Sequence, residues 1–195
     1  MTRRVHVGWS LIRQLTAVAV LGSALAPLSL YAQTSRPTEY QIKAAYLYNF
    51  ARFVTWPGLT PAPDAGPVTM CVLGEDPFGP VLDAAGTRAE TGGRTTTVRR
   101  LTGLDGSENC RVLFISASEA PSLDKVIAAL RDLSVLTVSD LPDFTRRGGI
   151  IQFVIEGNRV RFEVNLTAAE TAGLTLSSEL LKVAIAVRGT PRGGL

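Results

Sequence analysis

The chain has 195 residues, of which 46% are hydrophobic and 19% charged, with a formal net charge of +3 and one histidine, His6. That histidine and three arginines, Arg3, Arg4 and Arg13, fall in an acid-free N-terminal stretch, so the remainder is near neutral and has no histidine. This excludes a strongly basic binder of nucleic acid or anionic lipid, a Ser-His-Asp or Cys-His catalytic centre, and a His-ligated metal site.

Residues 1–32 have the three parts of a secretory signal peptide. The arginines lead into the uncharged run Leu15 to Ala26, Pro27 breaks it, and small residues follow, with cleavage expected near Ala32. The apolar run is shorter than the roughly 20 residues that span a bilayer, and no Cys near its end offers a lipid acceptor. Residues 33–188 then form a single domain, and 189–195 a flexible tail.

Thr38 to Pro57 (TEYQIKAAYLYNFARFVTWP) predicts a long helix. Thr38 and Gln41 match a capping box. Ile42, Tyr46, Phe50 and Phe53 make one stripe; Leu47, Ala51 and Val54 make a second, so the helix buries more than one side. Trp56-Pro57-Gly58 ends it. Leu59 to Pro67 is a loop and Val68 to Leu73 a strand. Val81 to Ala85 is a short helix ended by Gly86. Thr95 to Leu101 is a second strand, and Val112 to Ile115 a strand buried on both faces.

Ser116 to Ser122 leads into a helix over Leu123 to Leu133, with Leu123, Val126, Ile127 and Leu130 on its core side. Val135 to Ser139 is a strand, so the chain makes a parallel crossover here. Ile150 to Ile155 and Arg159 to Asn165, joined by Glu156-Gly157-Asn158, read as a hairpin. Helical pieces follow at Thr167 to Ala172 and Ser177 to Val187. The expected fold class is α/β, a single domain with a mixed sheet of about six strands flanked by helices, a long N-terminal helix and a C-terminal β-hairpin.

Cys71 and Cys110 are the only cysteines. An even count in an exported chain reads as a disulfide. In an open α/β sheet, ligands sit outside the carboxyl ends of the parallel strands. Those ends carry Glu75 and Asp76, then Ser116 and Ser118, then Ser139 and Asp140. They make a candidate crevice for a small polar ligand, although the same residue types also cap helices. No Gly-x-x-x-x-Gly-Lys-Ser/Thr loop occurs and no cofactor is expected.

Five blocks carry a family resemblance: KAAYLYNFARFVTWP (Lys43 to Pro57), CVLGEDPFG (Cys71 to Gly79), VLFIS (Val112 to Ser116), GGIIQFVIEGNRVRFEVNL (Gly148 to Leu166) and AGLTLSSELLKVA (Ala172 to Ala184). In order and nearly end to end, they resemble the YfiR family of bacterial periplasmic proteins. The resemblance implies a non-enzymatic repressor that binds the periplasmic sensor part of an inner-membrane diguanylate cyclase of YfiN type and lowers cyclic di-GMP. It also implies an outer-membrane lipoprotein of YfiB type as a second partner, allows a homodimer, and brings no nucleic acid. The extra cysteine pair that some members carry near the final hairpin is absent.

The hairpin is the candidate partner-binding element. Ile151, Phe153 and Ile155 and the set Val160, Phe162 and Val164 are read as two apolar faces, one buried and the other available for docking if exposed. Arg159, Arg161, Glu163 and Asn165 line the polar side and supply partner charges.

Overall fold

The structure, a computed structural model, describes residues 37–58, 67–88 and 95–189. The signal peptide, most of the Leu59 to Pro67 loop and all of the tail beyond Gly189 lie outside them.

The first helix, α1 (Glu39–Phe50), starts as the capping box predicts: the Gln41 N–H donates to Thr38 Oγ1 (3.3 Å) and the Thr38 N–H to Gln41 Oε1 (2.7 Å). It is shorter than expected. Ala51 caps it, and Val54–Thr55 (β1) instead pairs antiparallel with Thr175–Leu176 (β8) in a two-stranded ribbon. Val54 and Thr55 are β-branched and fit a strand, but the partner that decides the matter lies more than a hundred residues away.

The main sheet has seven strands in the order β3-β2-β4-β5-β6-β7-β9. They are β2 (Val68–Leu73), β3 (Thr96–Leu101), β4 (Val112–Ile115), β5 (Leu136–Ser139), β6 (Ile151–Glu156), β7 (Arg159–Asn165) and β9 (Ala186–Arg188). The first five in that order are parallel; β7 runs antiparallel to β6, and β9 parallel to β7. The order reverses between β2 and β4, the position at which such sheets open a crevice. The helices α2 (Pro80–Arg88), α3 (Leu123–Leu130), α4 (Leu166–Thr171) and α5 (Ser178–Val183) complete the domain.

The sheet separates two cores because side chains alternate along each strand. Met70, Val72, Phe114, Val138, Ile151, Phe153 and Phe162 point to one side, where α1 and Leu82 of α2 meet them. Cys71, Leu73, Leu113 and Ile115 point to the other, under the Leu123, Val126, Ile127 and Leu130 stripe of α3. That stripe is buried as predicted, and a 3-10 turn over Ala117–Ser122 feeds into it.

Gly86 does not end α2; it lies inside the helix. Its lack of a side chain is a packing requirement, since a Cβ there would collide with the Tyr48 hydroxyl. That hydroxyl donates to the Leu82 carbonyl at 2.8 Å. Burial, with help from Asp83, pushes its pKa up to about 12. The unfolded phenol titrates near pH 10, so between about pH 10 and 12 the folded state holds more protons and stability falls as pH rises. Tyr48→Phe is expected to flatten this loss relative to the parent protein in Tm measured across that range, at the cost of about 1 kcal/mol for the lost hydrogen bond.

Two elements near the C-terminus differ from expectation. The helix over Ser177 to Val187 stops at Val183, and Ala186–Arg188 becomes an edge strand. Ser177 caps α5 by accepting from the Leu180 N–H (3.3 Å). The hairpin turn is also tighter than read: Glu156 pairs with Arg159, leaving Gly157 and Asn158, both at positive φ (53° and 61°), as a two-residue turn. Cys71 and Cys110 are disulfide-bonded, tying β2 to a point two residues ahead of β4.

Candidate partner-binding face

The hairpin has one apolar face, not two. The antiparallel register sets Ile151 opposite Val164, Phe153 opposite Phe162 and Ile155 opposite Val160. Residues directly opposite share a face, so both apolar sets point the same way, onto α1. Phe50 meets Phe162 edge-on at 5.0 Å between ring centroids and stacks on Phe153 at 5.8 Å, with Tyr46 beside all three rings. Phe153 and Phe162 are each 2% exposed. Expected as docking side chains, they are core. Only Ile155, at the hairpin tip, stands out of this face, 54% exposed.

The opposite face of β6, β7 and β9 carries Gln152, Arg161, Glu163, Asn165 and Arg188. The α3 core stops at β5, and these residues belong to neither apolar core. They are held by one another and by the turn after β5. Glu163 Oε2 accepts from Thr145 Oγ1 and Arg188 Nη2, each at 3.2 Å. Asn165 Nδ2 donates to the Thr145 carbonyl at 2.7 Å, while its Oδ1 accepts from the Ala168 N–H at 3.0 Å and caps α4. Arg161 is half-buried, and its Nε has no hydrogen-bond partner among the described residues; the same is true of Arg188 Nε. Arg159 is exposed at the tip end of the same face.

The structure thus brings four of the predicted residues, Arg159, Arg161, Glu163 and Asn165, onto one surface. It adds Arg188 to that surface and, buried beneath it, Thr145 and Gln152, all three missed by sequence reasoning. Arg188 was missed because it lay just past an expected helix rather than on a strand. Alternation could not reveal Thr145, which comes from a turn. A half-buried face that carries Arg161 and Arg188, with Arg159 exposed at its tip end, suits charge pairing with carboxylates of a partner.

The strand-end residues have a different fate. The Glu75 N–H donates to Ser118 Oγ at 2.9 Å, and Gly74 lies so close to Ser118 and Glu119 that a Cβ would collide with them. Asp76 accepts from the Phe78 N–H (2.8 Å) and pairs with Arg100 (2.9 Å). Arg100 also grips Asp83, whose carboxyl it holds below the usual range. Ser116 is buried, and its N–H donates to the Leu73 carbonyl at 3.0 Å. Ser139 Oγ donates to the Ile115 carbonyl at 2.7 Å. The side chains of Ser118, Asp76 and Ser139 are thus engaged with the chain's own atoms, whereas Glu75 and Ser116 are held through their backbone N–H groups.

Asp140 is the most consequential of them. It accepts from Lys43 Nζ at 2.7 Å and from the Tyr40 hydroxyl at 3.2 Å. Lys43 is 2% exposed, pairs also with Glu39, and lies 4.6 Å from the Tyr40 ring centroid. Burial alone would depress the Lys43 pKa, but the bonds to Asp140 and Glu39 outweigh it and leave it raised. The Glu39–Lys43 spacing was legible as a helical i,i+4 pair; the link to Asp140 was not. Removing Asp140 leaves a buried ammonium with one exposed partner, so Asp140→Ala is expected to cost about 3 kcal/mol in urea unfolding. Lys43→Met removes the charge that needs pairing and should cost less than half as much. Equal losses would contradict this account.

A family model described as YfiR/HmsC-like matches residues 40–185, a range that takes in all five sequence blocks. The chain belongs to the YfiR/HmsC-like family. No curated protein sequence matches it. Among solved structures, a conserved domain protein from Vibrio cholerae is similar at TM-score 0.54 and 12% identity, over 77% of this chain and 60% of that one. An ABC domain from Streptococcus pneumonia, solved in complex with L-Trp, is similar at TM-score 0.52 and 14% identity, over 74% and 60% respectively. The match thus spans 60% of each of those chains, and at these identities it bears on the fold. YfiR/HmsC-like membership supports a periplasmic regulator of cyclic di-GMP signalling at family level. The disulfide fits export, and no helix among the described residues is long and apolar enough to cross a membrane.

Proposed function

We propose that this YfiR/HmsC-like protein represses an inner-membrane diguanylate cyclase of YfiN type by binding its periplasmic sensor part, and that it docks through the outer face of β6, β7 and β9. The observation that carries this reading is the half-buried polar face with its arginines, which neither apolar core covers, on a domain of a regulatory family. Arg159, Arg161, Glu163 and Asn165 make the contact, with Arg188 beside them. Phe153 and Phe162 act indirectly, by holding the hairpin flat on α1. An outer-membrane lipoprotein of YfiB type would relieve repression by occupying the same face. Charges of this kind govern recognition and on-rate more than raw affinity.

Deleting the gene is expected to raise cyclic di-GMP, and the purified protein to capture a cyclase sensor domain. Arg161→Glu should abolish capture and raise cyclic di-GMP as the deletion does, while a cooperative urea transition shows that the variant stays folded. Unchanged cyclic di-GMP on deletion together with no captured sensor domain would remove the proposal. Normal repression by Arg161→Glu would remove the assignment of the face.

A further inference from the structure

A cavity of about 250 Å³ lies on the α3 side of the sheet, at the end away from Asp140, between α3, the starts of β5 and β6, and α4. Its walls are aliphatic: Ile127, Leu130, Val135, Ile150, Ala168 and Ala172. No aromatic ring and no carboxylate lines it.

Its polar groups divide into occupied and unoccupied ones. Asn165 and Thr171 are committed to neighbouring backbone groups. Thr137 is 4% exposed, and its Oγ1 accepts from the Ile150 N–H at 3.1 Å. A hydroxyl that accepts can still donate, and that proton has no acceptor among the described residues. Arg131 lines the same space, is exposed, and makes no ion pair among the described residues. Gly148 stands at positive φ (102°) with a Cβ position 3.0 Å from Ile127, so a larger residue there would press on the wall.

We infer that this cavity binds a short aliphatic monocarboxylate. The carbon chain lies against the Ile, Leu and Val walls, and Arg131 and Thr137 donate to the oxygens. An engineered apolar cavity of roughly 150 Å³ holds benzene, so the volume here accommodates an acid of about six carbons. An apolar body with one anionic end matches aliphatic walls and a single unpaired guanidinium. An amino acid of the same shape fits worse, because its ammonium would sit beside the Arg131 guanidinium with no lining carboxylate to meet it.

The test is thermal shift and calorimetric titration of the purified protein with 4-methylvalerate, leucine and 4-methyl-1-pentanol. At a hundredfold excess over Kd, 4-methylvalerate should raise Tm by roughly 5–10 °C. Leucine and the alcohol should bind at least about tenfold more weakly, as expected when a charge-assisted bond is lost or a charge is left unpaired. Arg131→Gln, an exposed change that leaves the unliganded Tm in place, should weaken 4-methylvalerate by a similar factor, and Ala168→Leu should fill the space and abolish binding. No shift with 4-methylvalerate at millimolar concentration, equal binding of leucine or the alcohol, or undiminished binding by Arg131→Gln would each overturn the inference.

Discussion

Phe50→Ala lowers the unfolding free energy by about 3–5 kcal/mol, the range for truncating a buried aromatic ring. Phe50 is the point where α1 meets the hairpin: its ring contacts Phe153, Phe162 and Tyr46. Each such aromatic pair adds roughly 0.5–1.5 kcal/mol beyond area burial, and the pairs share atoms, so the contributions do not add in full. Urea unfolding should show a lower midpoint with an unchanged slope. Phe162→Ala should give a loss of similar size, because it removes the other half of the same edge-on contact. The proposed repression would then fail through unfolding, and lowering the temperature should restore it in part. A loss below about 1 kcal/mol at either position would place these rings outside the core.

The Cys71–Cys110 bond supplies the second large effect. The two residues are separated by 39 positions, their Cα atoms are 5.8 Å apart, and both are fully buried. In the chain-entropy model a loop of this length contributes about 4 kcal/mol by restricting the unfolded chain. The bond also fastens β2 to the start of β4, where the strand order reverses. Replacing both cysteines with alanine is expected to lower Tm by about 10 °C. Alanine is the suitable replacement, since serine would bury two hydroxyls at apolar positions. Mass analysis without reductant should recover one bridged peptide pair. Two alkylatable thiols in the purified protein would contradict the assignment.

Much of the fold was legible in the sequence wherever a local signal coincided with the final environment. Val68–Leu73, Val112–Ile115 and Arg159–Asn165 have the predicted bounds because short β-branched or alternating runs leave no competing period. The start of α1 was legible because a capping box is closed within four residues. Its end was not. Phe50 to Trp56 continues the helical stripe, and only pairing of Val54–Thr55 with Thr175–Leu176 diverts it. The same applies to Ala186–Arg188, three residues that become a strand because β7 offers an open edge.

The candidate site divides along the same line. Alternation alone assigned Arg159, Arg161, Glu163 and Asn165 to one face of a strand. Which face is buried depends on register, and register decided that Phe153 and Phe162 pack together under α1 rather than on opposite sides. By itself the sequence determined an α/β chain with one cysteine pair, no histidine beyond His6, and a hairpin with a charged side. Only the tertiary structure decided that Lys43 meets Asp140, that Asp76 and Ser139 are taken up internally, and that the polar hairpin face extends past the α3 core. Each of those depends on contacts between residues distant in the chain, and no local period or propensity encodes the distance between them.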